Sequence, residues 1–113
     1  MSKQSQPILL LTLIAAGVIA EHRFVGVDSA QAGAAANTLG VAGFAADAIG
    51  DAIPVTALGT AVVETGGIIN AGALIETDAD GKAVAKAAGP SVARALDASG
   101  GAGEFIEVIL LPN

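Results

Sequence analysis

Apolar residues along this chain come in short runs, each broken by Gly, Asp, Asn, Ser or Pro before a helix could form. The first run, Ile8–Ile14, reads as a buried strand that turns at Ala15–Gly17. Arg23–Val27 reads as a second strand, ended by Asp28-Ser29, and Gln31–Asn37 as a loop. Thr38–Phe44 follows as a strand in which Gly40 and Gly43 mark bulges or close approach. Gly50-Asp51 signals a turn. Ile53–Leu58 and Thr60–Glu64 flank Gly59, and Pro54, which has no N–H to donate, suggests a sheet edge. Gly66-Gly67 breaks the chain before Ile68–Gly72, which could close one helical turn at its glycine. Ala73–Thr77 and Lys82–Ala85 bracket Asp78-Ala79-Asp80-Gly81, the clearest hairpin turn in the sequence. Ser91–Asp97 and Glu104–Leu111 form a last pair, separated by a flexible Ala98–Gly103.

Alanine alone would argue for helix in several places. Fifteen glycines spaced every few residues leave no window for one. The expectation is an all-β fold, a small barrel or sandwich of short strands with at most one short helical turn. The chain reads as a polar N-terminal arm over residues 1–6 and a single β-rich domain over residues 7–113.

Composition changes this picture in one respect. Hydrophobic residues make up 53% of the 113, but aromatics only 3%, with no Trp and no Tyr. The core must therefore be built largely from Ala, Val, Ile and Leu, and Ala buries little area. With no cysteine to form a disulfide, a partner surface is the common remaining source of stability for so thin a core. Eleven acids against five bases give a net charge of −6. The bases Lys3, Arg23, Lys82, Lys86 and Arg94 are scattered, whereas tracking phosphates needs them clustered. Nucleic acid is not an expected partner.

The N-terminal run also imitates a signal peptide: Lys3, an apolar stretch, then Val18-Ile19-Ala20 before Glu21. A single lysine makes a poor positive region, and the chain still carries Met1, which favours the strand. The run is shorter than the roughly 18 to 20 apolar residues that a bilayer span requires, so no membrane partner is expected.

Candidate chemistry is sparse. His22 lies between Glu21 and Arg23, and neighbours on a strand point to opposite faces, so Glu21 is not placed to assist it. Glu76-x-Asp78-x-Asp80-Gly81 has the alternating carboxylates of a calcium loop, but the twelfth position is Ala87 and no helices flank it. A solvated hairpin tip is the simpler reading. Gly100-Gly101-Ala102-Gly103 is not followed by a helix, and Gly81-Lys82 lacks the rest of a phosphate loop. Asp47 and Asp51 have none of the apolar, aromatic surround that tunes paired catalytic acids. No catalytic residue, metal site or cofactor is expected, and the chain does not read as an enzyme.

The second half carries a more specific pattern. Gly72-Ala73-Leu74-Ile75-Glu76-Thr77-Asp78-Ala79-Asp80-Gly81-Lys82-Ala83-Val84 is followed by Val92-Ala93-Arg94-Ala95-Leu96 and then Gly103–Leu111. With Arg23-Phe24-Val25-Gly26, Gly50-Asp51 through Val55 and Gly59-Thr60-Ala61-Val62-Val63, this resembles the capsid cement (head decoration) proteins of tailed bacteriophages. The resemblance runs from Leu10 onward and rests on the spacing of glycines and apolar residues. It implies a virion protein bound to the outer surface of the major capsid protein shell, stabilising it mechanically. It also implies a homo-oligomer, with a trimer favoured and a dimer possible. Under that implication Pro7, Ile8, Leu9, Leu10 and Leu11 are candidate capsid or subunit contacts, within a strand-adding arm over Met1–Leu11. Phe24, Phe44 and Phe105, the only aromatics, are candidate anchors, against the plainer reading that they fill the core. The alternative is a secreted or cell-surface β module with a cleaved N-terminal signal.

Overall fold

The computed structural model describes residues 6–113 and has eight strands, with no helix among the described residues. These are β1 (Pro7–Ile14), β2 (Phe24–Gly26), β3 (Thr38–Ala42), β4 (Ala52–Ile69), β5 (Leu74–Thr77), β6 (Ala83–Ala85), β7 (Ala93–Ala95) and β8 (Ser99–Leu110). The last part of β4 joins β6, β5, β7 and β8 in a ring, because β8 pairs back onto β4; the result is a closed five-stranded barrel. The first part of β4 instead pairs with β1 on one side and with β3, then β2, on the other. One strand thus belongs to both halves of the molecule.

That sharing demands a bend. Eighteen extended residues span roughly 55–60 Å at about 3.3 Å each, whereas the longest dimension of the molecule is 36 Å. Gly59 supplies it with a φ of 102° that an L-residue side chain rarely tolerates. A Cβ there would also collide with the Gln6 carbonyl and the Ile8 amide. Glycine at this point therefore continues the strand rather than separating two, as its position between apolar runs suggests.

Gly66-Gly67 is likewise inside β4. The segment Ala98–Gly103 is mostly strand rather than flexible loop, since Gly66 pairs with Ala102, Gly67 with Gly101, Ile68 with Gly100 and Ile69 with Ser99. Buried hydroxyls pin this glycine ribbon. Thr65 Oγ1 donates to the Gly101 carbonyl at 2.9 Å, and Ser99 Oγ lies 3.0 Å from Thr65 Oγ1. Ile68–Gly72 forms no helical turn: Ile68 and Ile69 end β4, and Ala73 N donates to Asn70 O in the turn that follows.

Pro54 lies inside a strand with neighbours on both sides, not at a sheet edge. Its carbonyl accepts from Gly43 N at 2.9 Å, just past the end of β3, so its missing donor falls where that ladder stops. The hairpin at Asp78–Gly81 is as the turn residues predict. Gly81 has a φ of 75°, and Asp78 Oδ1 accepts from Asp80 N and Lys82 N, both at 2.9 Å.

Two apolar clusters result. The first fills the barrel with Ala61, Val63, Ile75, Ala83, Val92, Ala93, Ile106 and Val108, and extends to Phe24 and Val41. The second lies under β1, β3 and the start of β4, with Leu13, Ala15, Ile19, Val25, Ala42, Ala46, Ile53 and Val55. Both are rich in alanine, as the composition requires.

Polar ties hold loops to this frame. Glu76 Oε1 accepts from Ala87 N and from Gly89 N (3.1 Å), fixing the Lys86–Pro90 segment. The Ala87 bond first, then the Gly89 bond, hold the Glu76 carboxyl below its ordinary pKa, because both favour the ionised form. A depressed carboxylate pKa adds stability that is complete above the ordinary glutamate value and vanishes as pH falls through the depressed one. In urea unfolding, Glu76→Gln is expected to be less stable than the natural protein at pH 7, with the gap closing toward pH 3. An unchanged gap at pH 3 would contradict this.

Candidate surface for capsid attachment

β1 is an edge strand, and that corrects the expectation of a buried one. Among the described residues it pairs with β4 alone, so every second backbone N–H and C=O points away from the sheet. It carries no charge from Pro7 to Ile14. Ile8 is 82% exposed, Leu10 55% and Ile14 59%, with Pro7 and Leu9 also exposed and Leu11 half-buried. Only Leu13 is buried, opposite Ile53 and over the second cluster. The register slips around Ile8 and Leu9, which places Ile8 at a bulge. Of the proposed arm, Met1–Ser5 lie outside the described residues. Gln6 belongs to the sheet: its N–H and that of Thr60 each donate to the other's carbonyl at 3.2 Å.

Soluble proteins ordinarily protect an open edge with lysine, proline or a bulge. Here Pro7 and the bulge lie only at its start, and Leu10 to Ile14 have neither.

The three aromatics do not converge. Phe24 is fully buried between the barrel and the sheet, so it is core and offers no contact. Phe44 is 63% exposed on the loop after β3. Phe105 is partly exposed on the outer wall of the barrel, where its ring meets His22 edge-on at 5.4 Å between centroids.

His22 has a structural place. Its φ of 62° takes it out of strand geometry, which also brings its Nε2 to 3.7 Å from Glu21 despite their adjacency. Its N–H donates to Ala42 O, its carbonyl accepts from Glu64 N, and Nδ1 lies 3.2 Å from Val62 O. A carbonyl only accepts, so Nδ1 carries the proton. Beside it, Arg23 and Lys82 share the half-buried Glu64 carboxylate at 3.0 and 3.4 Å. These contacts lock the sheet to the barrel. Within the Glu76–Asp80 stretch the Glu76 carboxylate is engaged with the Lys86–Pro90 segment and that of Asp78 with its own turn, and no group of three or more metal-ligating side chains occurs among the described residues. Two shallow clefts, of about 270 and 170 Å³, are lined mainly by small residues such as Gly26, Ala32 and Gly33 or Ala42, Gly43 and Ala61.

Further exposed aliphatics escape sequence reading: Val18, Val27, Ile49 and Ile68, each 70% exposed or more. The signal they share is a neighbouring glycine, in Gly17-Val18, Gly26-Val27, Ile49-Gly50 and Gly67-Ile68.

An uncharged, apolar edge that is open among the described residues is a surface suited to assembly. The sequence model of the phage cement proteins matches residues 3–110. The chain belongs to that family. It is accordingly a structural phage protein with a capsid decoration role at the virion surface. No curated protein matches the sequence. Among solved structures, the N base of head fiber gp8.5 in bacteriophage phi29 is similar, at 19% identity and a TM-score of 0.74. The match covers 91% of this chain and 93% of that one, and it shows a shared fold.

Proposed function

We propose that this cement protein binds the outer surface of the major capsid protein shell and braces neighbouring capsomers against outward pressure. It does so as a single unit over residues 7–113. The observation that carries this reading is β1, whose open, uncharged edge suits addition of a strand from a neighbouring capsid sheet. Family membership supports the target. The phi29 head fiber base, by its description a piece of a head appendage, is consistent with the same scaffold at a phage head.

We further propose a homo-oligomer, with a trimer favoured over a dimer. A ring presents several copies of one contact to a repeating lattice, and linked contacts gain from effective concentration. Purified genome-free shells of the parent phage provide the test. The protein is expected to co-sediment with them to a saturating ratio and to raise the temperature at which they rupture. Absence of co-sedimentation at protein concentrations of tens of micromolar would overturn the reading. Sedimentation equilibrium of the free protein tests the oligomer, and a monomer at those concentrations would count against it.

A further inference from the structure

We propose that a second surface, the loop layer covering the second apolar cluster, seats on the shell, and that its partner is an apolar patch bordered by Lys or Arg. This rests on the capsid-binding reading and names a contact and a chemistry that the reading leaves open.

The layer is built from three segments. Residues 15–20 cross the second cluster, burying Ala15 and Ile19. Residues 27–30 and 44–51 flank them. Backbone hydrogen bonds stitch the three together: Ala16 N to Ser29 O at 2.8 Å, Ala15 N to Asp51 O at 2.9 Å, and Gly50 N to Ala15 O at 2.8 Å. Ile19 and Ala46 exchange a further pair at 2.9 and 2.8 Å. The layer is therefore a defined platform rather than a set of independent loops.

Its exposed large side chains are apolar and its charged ones acidic. Val18, Val27, Phe44 and Ile49 stand 63–78% exposed, and Ile14 at the end of β1 makes the layer continuous with the open edge. Single exposed apolar side chains are ordinary, but three aliphatics and a phenylalanine on stitched loops beside an apolar edge form a surface that water solvates poorly. The charged residues within the three segments are Asp28, Asp47 and Asp51, with no Lys or Arg. Asp51 Oδ2 accepts from Asp47 N and Ala48 N, and Asp28 Oδ1 accepts from Ala30 N, so the carboxylates of Asp51 and Asp28 are held at fixed places on the platform.

The charge selects the occupant. Two copies meeting through this layer would bring six carboxylates together with no base between them, which opposes self-association there. A partner offering apolar side chains inside a rim of Lys or Arg complements both features. The barrel does not supply such a rim: among the described residues Arg23 and Lys82 are engaged with Glu64 and Arg94 donates to Gly72 O, which leaves Lys86, whose charge acts on Glu76, and one lysine does not border a patch. The shell protein is the heterologous partner that the proposed function supplies.

The test uses the full chain and genome-free shells, with three proteins compared by co-sedimentation at 50 and 300 mM salt. Val18→Ser with Ile49→Ser removes apolar area without touching a buried residue. Asp28→Asn with Asp47→Asn removes two charges, while the asparagine oxygen can still accept from Ala30 N. Unchanged urea midpoints establish that the variants fold. Expected is a tenfold or greater loss of affinity for the first variant. For the second, affinity is expected to fall at 50 mM salt and converge on that of the natural protein at 300 mM. If the natural protein binds and both variants bind equally well, the platform is not the contact, although the proposed function stands. If the serine variant alone weakens, the basic rim is overturned. If the natural protein itself fails to bind, the proposed function has failed first.

Discussion

Replacing Gly40 with alanine is expected to destabilise the protein by about 3 kcal/mol or more, exceeding ordinary overpacking because backbone must move instead of a side chain. Gly40 lies in β3 between β2 and β4, and its missing side chain is what lets β4 approach. A Cβ at this position would overlap the Thr56 carbonyl group and press on Ala57 Cα. Both belong to the strand that links the sheet to the barrel, so neither can yield without loosening Val41 and Ala42 from their partners. Urea unfolding at pH 7 measures the loss. Gly101→Ala is the matched control: it also lies in a strand, at ordinary φ, with open space where its Cβ would stand. It is expected to be neutral or to stabilise by a few tenths of a kcal/mol through reduced freedom of the unfolded chain. Equal, small effects for the two would refute the close-approach account of Gly40.

The second large effect concerns binding. Leu10→Lys with Ile14→Lys places two charges on the outward side of β1 while leaving Leu13 on the second cluster. Because both side chains already stand more than half exposed, the urea midpoint should move little. Affinity for shells should fall a hundredfold or more, since lysine on an edge strand is the usual device against strand addition and contact residues near an interface centre dominate its energy. Retained affinity would remove β1 from the interface. Comparison with the serine variant of the loop layer then ranks the two surfaces.

Much of the fold is legible in the sequence where alternation meets burial. Ala61 and Val63 point into the barrel while Val62 and Glu64 are half-exposed, and Ile106 and Val108 answer them from β8. The Asp78–Gly81 turn is equally plain, because its aspartate and glycine are what a tight turn requires. Glycine inside strands is where legibility ends. Gly59, Gly66, Gly67, Gly100 and Gly101 look like breaks, since glycine weakens an isolated strand. Here cross-strand pairing and the hydroxyls of Thr65 and Ser99 override that preference, and a bend in one long strand replaces the gap between two short ones. Such overrides are tertiary and leave no local mark.

Candidate contacts divide the same way. Eight uncharged residues in a row at β1 fit a buried strand as well as an exposed edge, and only topology distinguishes them. Phe24 illustrates the converse. Its aromatic ring marks importance in the sequence, yet it fills the space between barrel and sheet. The exposed Val18 and Ile49 carry no sequence mark beyond a neighbouring glycine. They become visible only when three loops are seen to share one layer.

On the proposed reading, this protein decorates a capsid by laying β1 and its adjoining loop layer on the shell. Cryo-electron microscopy of genome-free shells incubated with the purified protein tests it most directly. Ordered density for the barrel is expected on the outer surface, with β1 and the loop layer turned toward the shell and the Asp78–Gly81 turn free of it. Bare shells at saturating protein, or density attached through the barrel with β1 facing solvent, would contradict it.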